Sequence, residues 1–187
     1  MRKPKGIKIT SRSSSITNAF IQAIIPVRTW TEAEMDGALA IFGQERPRLF
    51  CVYCGDKASD WDHLRPLVRN KMPTGYIHEL RNYVPSCNTC NQSKGGSDWE
   101  VWFRSETANS PTRRRVTELD LKLQRLKLYV DWGKVTPLIL SKLCDENSLD
   151  AYFDVLKEIQ DDLVKAQLLA SELQRTIQKS LNAVSEA

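Results

Sequence analysis

The sequence predicts an α+β fold: a small module of short strands and loops closed by metal, flanked by N-terminal helices and a mainly α-helical C-terminal region. Three observations predict it. Cys51-x-x-Cys54 and Cys87-x-x-Cys90 enclose a stretch with no helical period. Helix-capping signals lie on both sides of that stretch, and apolar residues recur every seven positions after Leu149. Of the 187 residues, 41% are hydrophobic and 27% charged, a composition that can bury a core. No apolar run approaches the roughly 18 residues of a membrane span, so insertion into a bilayer is not expected.

Residues 1–31 are basic, Ser-rich and free of acids, without the apolar segment of a secretory signal. The same composition suits an organelle transit peptide; we read it as a basic arm that lies against phosphate. Ser14 or Ser15 caps a helix through Ile25 that Pro26 stops, and Thr31-x-x-Glu34 is a capping box opening a second helix that Gly43 ends. Residues 44–48 form a polar loop. Residues 49–54, a turn at Gly55 and residues 61–68 read as strands and loops. Ser97-x-x-Glu100 starts a short helix whose Trp99, Trp102 and Phe103 could stack bases, but their spacing of three and four fits a side facing the core better. Ser110-Pro111 supplies N-cap and first position for a helix to Trp132, with Gly133 as its stop. Thr136-Pro137 opens a short helix to Cys144, a buried small hydrophobe. Ser148 caps the last helix, in which Leu149, Leu156, Leu163, Ala170 and Ile177, interleaved with Tyr152, Ile159, Ala166, Leu173 and Ser180, form a heptad seam. The seam packs on the helix at 119–130 or on another subunit. The organisation expected is a basic arm with helices over 1–48, a zinc-bound module over 49–108 and a helical region over 109–187.

Five cysteines, an odd number, argue against a disulfide scaffold and for reduced thiols in the cytoplasm. Two close pairs of soft ligands suit tetrahedral Zn²⁺ at Cys51, Cys54, Cys87 and Cys90. Four thiolates leave no open position for substrate, so this zinc is structural, with a contribution on the order of 10 kcal/mol to folding. Charge is uneven. Residues 1–116 hold 18 Lys+Arg against 11 Asp+Glu and residues 117–187 hold 9 against 12, which points phosphate binding at the first part.

Asp62-His63 lies inside the loop between the pairs, and Asn91 follows the last cysteine. Asp62 and Asn91 offer hard oxygens that suit Mg²⁺ or Mn²⁺. His63 offers a base that is largely neutral near pH 7. An ion and a base so placed can hydrolyse a phosphodiester, the ion stabilising the phosphorane and the base activating water. A structural Asp–His hydrogen-bonded pair is the plainer alternative. Arg113, Arg114 and Arg115 form a cationic cluster at an expected helix start, where the dipole disfavours it unless a phosphate or acid offsets it.

The run Cys51-Val-Tyr-Cys54, Trp61-Asp62-His63-Leu64-Arg65-Pro66 and Asn82-Tyr-Val-Pro-Ser-Cys87-Asn-Thr-Cys90-Asn91-Gln-Ser-Lys94-Gly95 resembles the HNH endonucleases of the ββα-metal fold. It looks most like the zinc-containing branch, with the phage Holliday-junction resolving endonuclease and some type II restriction enzymes. The resemblance covers residues 51–95. It implies His63 as general base, Asp62 and Asn91 as ligands of a catalytic Mg²⁺ or Mn²⁺, and Asn82 as the central Asn that braces the loop carrying the histidine. It also implies Lys94 near phosphate and DNA as substrate; Arg65 and the cluster Arg113 to Arg115 are read, apart from the resemblance, as further DNA contacts. Many members carry histidine where Asn91 stands, and His78-Glu79 is absent from the usual pattern; His78 is read as a loop residue near substrate or an uninvolved surface histidine. The function expected is a metal-dependent DNA endonuclease, in restriction or phage defence. Alternatives are a non-catalytic zinc module that binds nucleic acid or protein, or a nuclease subunit in a homodimer or under an ATPase, docked through the C-terminal helix.

Overall fold

A computed structural model describes residues 6–185 and divides the chain into two compact units. One unit is Met1–Phe20 with Leu140–Ala187, and the other is Ile21–Ile139. Compactness therefore does not follow the expected boundaries at 48 and 108. Residues 1–5 of the basic arm lie outside the described residues.

In the first unit a 3-10 turn, Ile9–Arg12, runs directly into helix α1, Ser13–Ala23, so the helix starts before either serine expected to cap it. The last helix, Glu146–Ser185, is a single 40-residue helix, labelled α6 below. Asp145 and not Ser148 caps it: the Ser148 N–H and hydroxyl both donate to Asp145 Oδ2, at 2.9 and 3.0 Å. A carboxylate there also complements the helix dipole. The seam finds its partner in the segment at 9–20. The Tyr152 hydroxyl donates to Phe20 O at 2.9 Å, Gln160 Nε2 donates to Thr17 Oγ1 at 3.1 Å, and Ile9 N donates to Gln167 Oε1 at 2.7 Å. Leu156 is buried, whereas Leu173 and Ile177 are 63% and 59% exposed. The expected short helix before it is only a 3-10 turn, Leu140–Lys142, and Cys144 is exposed rather than buried.

In the second unit the capping box forms as read. Thr31 Oγ1 accepts from Glu34 N, and Glu34 Oε2 accepts from Thr31 N, at the start of α2, Glu32–Ile41. Strand β1, Asp60–His63, pairs antiparallel with β4, Tyr83–Ser86, in the register Asp60↔Ser86 to His63↔Tyr83. Between them, β2, Val68–Arg69, and β3, Met72–Pro73, form a minimal hairpin. Helix α3, Asn88–Lys94, follows β4, which completes strand, strand and helix around the cysteines. Helix α4, Trp99–Phe103, buries Trp99, Trp102 and Phe103 as expected, but Asp98 caps it in place of Ser97.

The helix expected from Ser110 begins only at Leu119; α5 is Leu119–Trp132. Ser110 still caps a turn by accepting from Arg113 N, but Thr112 N and Oγ1 are drawn to Phe103 O, at 3.2 and 2.8 Å. Arg115 and Glu118 then adopt positive φ, which breaks helical continuity. Leu123, Leu126 and Tyr129 of α5 share one core with the four cysteines, Leu64, Val84 and Trp102, so its apolar face is used in that core. No helix among the described residues is long and apolar enough to cross a membrane.

Candidate active site and zinc centre

The first cysteine pair sits on a tight turn. Gly55 N donates to Cys51 O at 2.8 Å, and Gly55 has φ +83, open to glycine. Val52 N donates to Pro85 O at 3.0 Å and fastens this turn to β4. The second pair opens α3, where Cys87 Sγ accepts from Cys90 N at 3.4 Å. The four sulfurs lie within 4.8 Å of one another, Cys54 and Cys87 at 3.6 Å. Sulfurs around tetrahedral zinc, each bonded at about 2.3 Å, stand at such separations. Hydrogen bonds from Cys54 and Cys90 pull the Cys51 thiol down to about 4, while Cys90 beside that thiolate is pushed far up. Four thiolates together need a dication, and the donor set fits Zn²⁺.

Arg114, expected at DNA, is spent on this cluster. Its guanidinium donates to Asp56 Oδ2 at 3.0 Å and approaches Cys90 Sγ at 3.7 Å. It offsets thiolate charge at the mouth of the site. Arg113 pairs with Glu106 at 3.4 Å, and Arg115 is exposed.

Side chains alternate along β1, so Asp62 and His63 point to opposite faces. Asp62 is 4% exposed. Its Oδ2 accepts from the Tyr53 hydroxyl at 2.6 Å, and its Oδ1 lies 3.2 Å from Lys94 Nζ. Lys94 is 1% exposed and also donates to His63 O at 2.9 Å. Burial pushes the Asp62 carboxyl up and the Lys94 ammonium down, and each partly restores the other's charge. Lys94 is therefore an internal cation and not the phosphate contact expected of it, because its α3 position aims it beneath β1. Both Asp62 oxygens are thus engaged, by the Tyr53 hydroxyl and by the Lys94 ammonium, so an ion at Oδ1 would take the place of the ammonium. Asn91, half-buried, lies one turn before Lys94 on α3.

His63 lies on the opposite face, half-buried. Its Nε2 is 3.0 Å from His78 Nδ1, which is 2.8 Å from the Tyr83 hydroxyl, and the Tyr83 ring lies 4.3 Å from that of His63. Desolvation, then the nearby His78 and Lys94, push His63 down to about 3, so the imidazole is neutral at pH 7.

Asn82 is fully buried and spans the loop after His63. Its Oδ1 accepts from Arg65 N at 2.8 Å and its Nδ2 donates to Arg65 O at 3.0 Å, while Leu64 N donates to Asn82 O at 2.8 Å. The Tyr129 hydroxyl on α5 donates to Tyr83 O at 2.6 Å and to Leu80 O, fixing the Asn82 segment from behind. The Arg65 guanidinium is half-buried and lies 5.7 Å from the Tyr76 ring centroid.

The structure thus gathers Asp62, His63, Asn82 and Lys94 around one strand pair, and sets Arg114 at the cysteines. Sequence reading missed Tyr53, Tyr83, Tyr129 and the Arg114–sulfur contact. Tyr53, between the first two cysteines, and Tyr83, next to Asn82, carried a local signal in the motif.

Residues 51–97 match the HNH endonuclease family. No curated protein and no solved structure matches the chain. The HNH segment holds both cysteine pairs, Asp62, His63, Asn82, Asn91 and Lys94; Arg113 to Arg115, α5 and α6 lie beyond it. HNH domains are generally nucleases, and in this one the four-cysteine cluster fits a zinc-binding variant.

Proposed function

We propose that the HNH module hydrolyses phosphodiester bonds of DNA, with His63 as the general base. The observation that carries this reading is a neutral imidazole on a strand held rigid from both sides by the cysteine cluster and by Asn82. His63 is unprotonated at pH 7 but weakly basic in its desolvated setting. Approach of a phosphodiester anion raises its basicity, since nearby negative charge favours imidazolium. The base then draws a proton from the attacking water, with His78 and Tyr83 holding the ring in place. Asp62 and Asn91 would hold Mg²⁺ or Mn²⁺, with the ion in place of the Lys94 ammonium, and it would supply positive charge against the phosphate from the other side of β1. Arg65, carried on the loop that Asn82 braces, supplies positive charge for the strand. The setting we attach to this activity is restriction or phage defence in the cytoplasm. The exposed stripe at Leu173 and Ile177 serves association with a second copy or an ATPase subunit.

The test is incubation of the purified, zinc-loaded chain with supercoiled and linear DNA, with and without Mg²⁺ or Mn²⁺, with end mapping of the products. Ion-dependent strand scission with defined 3′ and 5′ termini supports the reading. Intact DNA under every condition overturns it and leaves a zinc module that only binds.

A further inference from the structure

The β1 face that carries His63 continues away from it as an aromatic surface. Trp61, two residues before His63, projects to the same side and is 39% exposed. Its ring stands 6.5 Å from that of Tyr83, which lies against His63 and 5.7 Å from Trp30, 37% exposed. Beyond Trp61 a groove of about 570 Å³ runs to Phe50, 48% exposed, with Arg48, Lys57, Asp60 and Pro85 among its walls.

Two large aromatic side chains, Trp61 near the base and Phe50 at the far end of the groove, are thus held half in water. The backbone that carries Phe50 is fixed in place. Phe50 N donates to Gln44 Oε1 at 2.8 Å, Ala58 N donates to Leu49 O at 3.0 Å, and a bridge Phe50↔Lys57 closes this ribbon onto the first cysteine pair. The rim is cationic: Arg48 and Lys57 face the single acid Asp60, and neither makes an ion pair among the described residues. Exposed aromatic rings between unpaired cations match a strand of nucleic acid, whose bases stack and whose phosphates meet the rim. Bases within a duplex are already stacked on one another, and reaching them would require a wedge and unstacking. Unpaired bases can lie on such rings without that cost.

We propose that this surface binds unpaired nucleotides, stacking bases on Trp61 and Phe50, so that the module acts on DNA where a duplex adjoins single strand. This rests on the nuclease reading for its cleavage arm but not for its binding arm.

Binding of the full chain is measured in the His63→Ala background, so that no strand is cut, on three probes: oligothymidylate, a splayed duplex with a single-stranded arm, and the same duplex fully paired. The double change Trp61→Ala with Phe50→Ala should weaken binding of oligothymidylate and of the splayed duplex by about tenfold or more. Binding of the paired duplex should stay within about twofold, and Trp61→Phe should retain most of the affinity. Unchanged oligothymidylate binding in the double variant, or an equal loss on the paired duplex, overturns the proposal. Should the double variant not fold, oligothymidylate must still quench tryptophan fluorescence of the parent chain, and that quench must shrink in Trp61→Phe; no quench overturns the proposal as well. A chain that discriminates the probes but never cuts sinks the nuclease reading alone. A chain that cuts, with the double variant binding all three probes like its parent, sinks this inference alone.

Discussion

Lys94 and Asp62 form a buried ion pair at 3.2 Å, and each exists as a charge because the other does. Replacing Lys94 by Met removes one partner, leaves a carboxylate in an apolar site and should cost about 3 to 5 kcal/mol in denaturant unfolding. Little loss would show that Asp62 finds another cation or becomes protonated. Asn82→Ala deletes both side-chain bonds to the Arg65 backbone and leaves that buried N–H and C=O without partners. It should destabilise the chain by about 1 to 3 kcal/mol and lower cleavage with it. The resemblance to the HNH endonucleases made Asp62, His63, Asn82 and Lys94 legible as a group. The direction of each side chain was not, because strand alternation and the position of α3 decide which partner each one meets. Lys94 read as a phosphate contact for this reason, and Arg114 likewise, its contacts being 24 and 58 residues away.

Local signals fixed elements where the partner is local. The Thr31 box needs only residues three apart, and it forms. Thr31→Ala should cost about 1 kcal/mol. The Glu34 carboxyl is held below the usual range by its bonds to the Thr31 backbone and hydroxyl. Its contribution is therefore present above the ordinary carboxylate pKa and lost as pH falls through the lowered folded value, so thermal melting in Thr31→Ala should lose part of its acid dependence. The helix expected at Ser110 fails because bonds from Thr112 to Phe103, nine residues back, override a good cap, and no capping or periodic pattern announces them. The heptad pattern of α6 was legible, its partner was not. Leu156 is buried and Leu173 is exposed. Leu156→Glu should unfold the first unit, while Leu173→Glu should leave helicity unchanged and alter only elution in gel filtration. Equal helicity in both variants would remove the seam from the account.

Across the whole molecule, the metal-closed cluster joins segments 36 residues apart within one core, since Cys51 and Cys87 pack with Leu64, Trp102 and Tyr129. Elemental analysis should find one Zn²⁺ per chain. Chelation, or Cys87→Ser, should collapse the module, since zinc binding is folding free energy at such sites; a stable fold without zinc would contradict this. The central claim is that His63 acts on the reacting water and the rest of the module holds it there. It is tested most directly by comparing His63→Ala with the parent chain in cleavage rate and in DNA affinity. The account predicts a rate lower by roughly a hundred- to ten-thousandfold at nearly unchanged affinity. Cleavage by His63→Ala at the parent rate would contradict it.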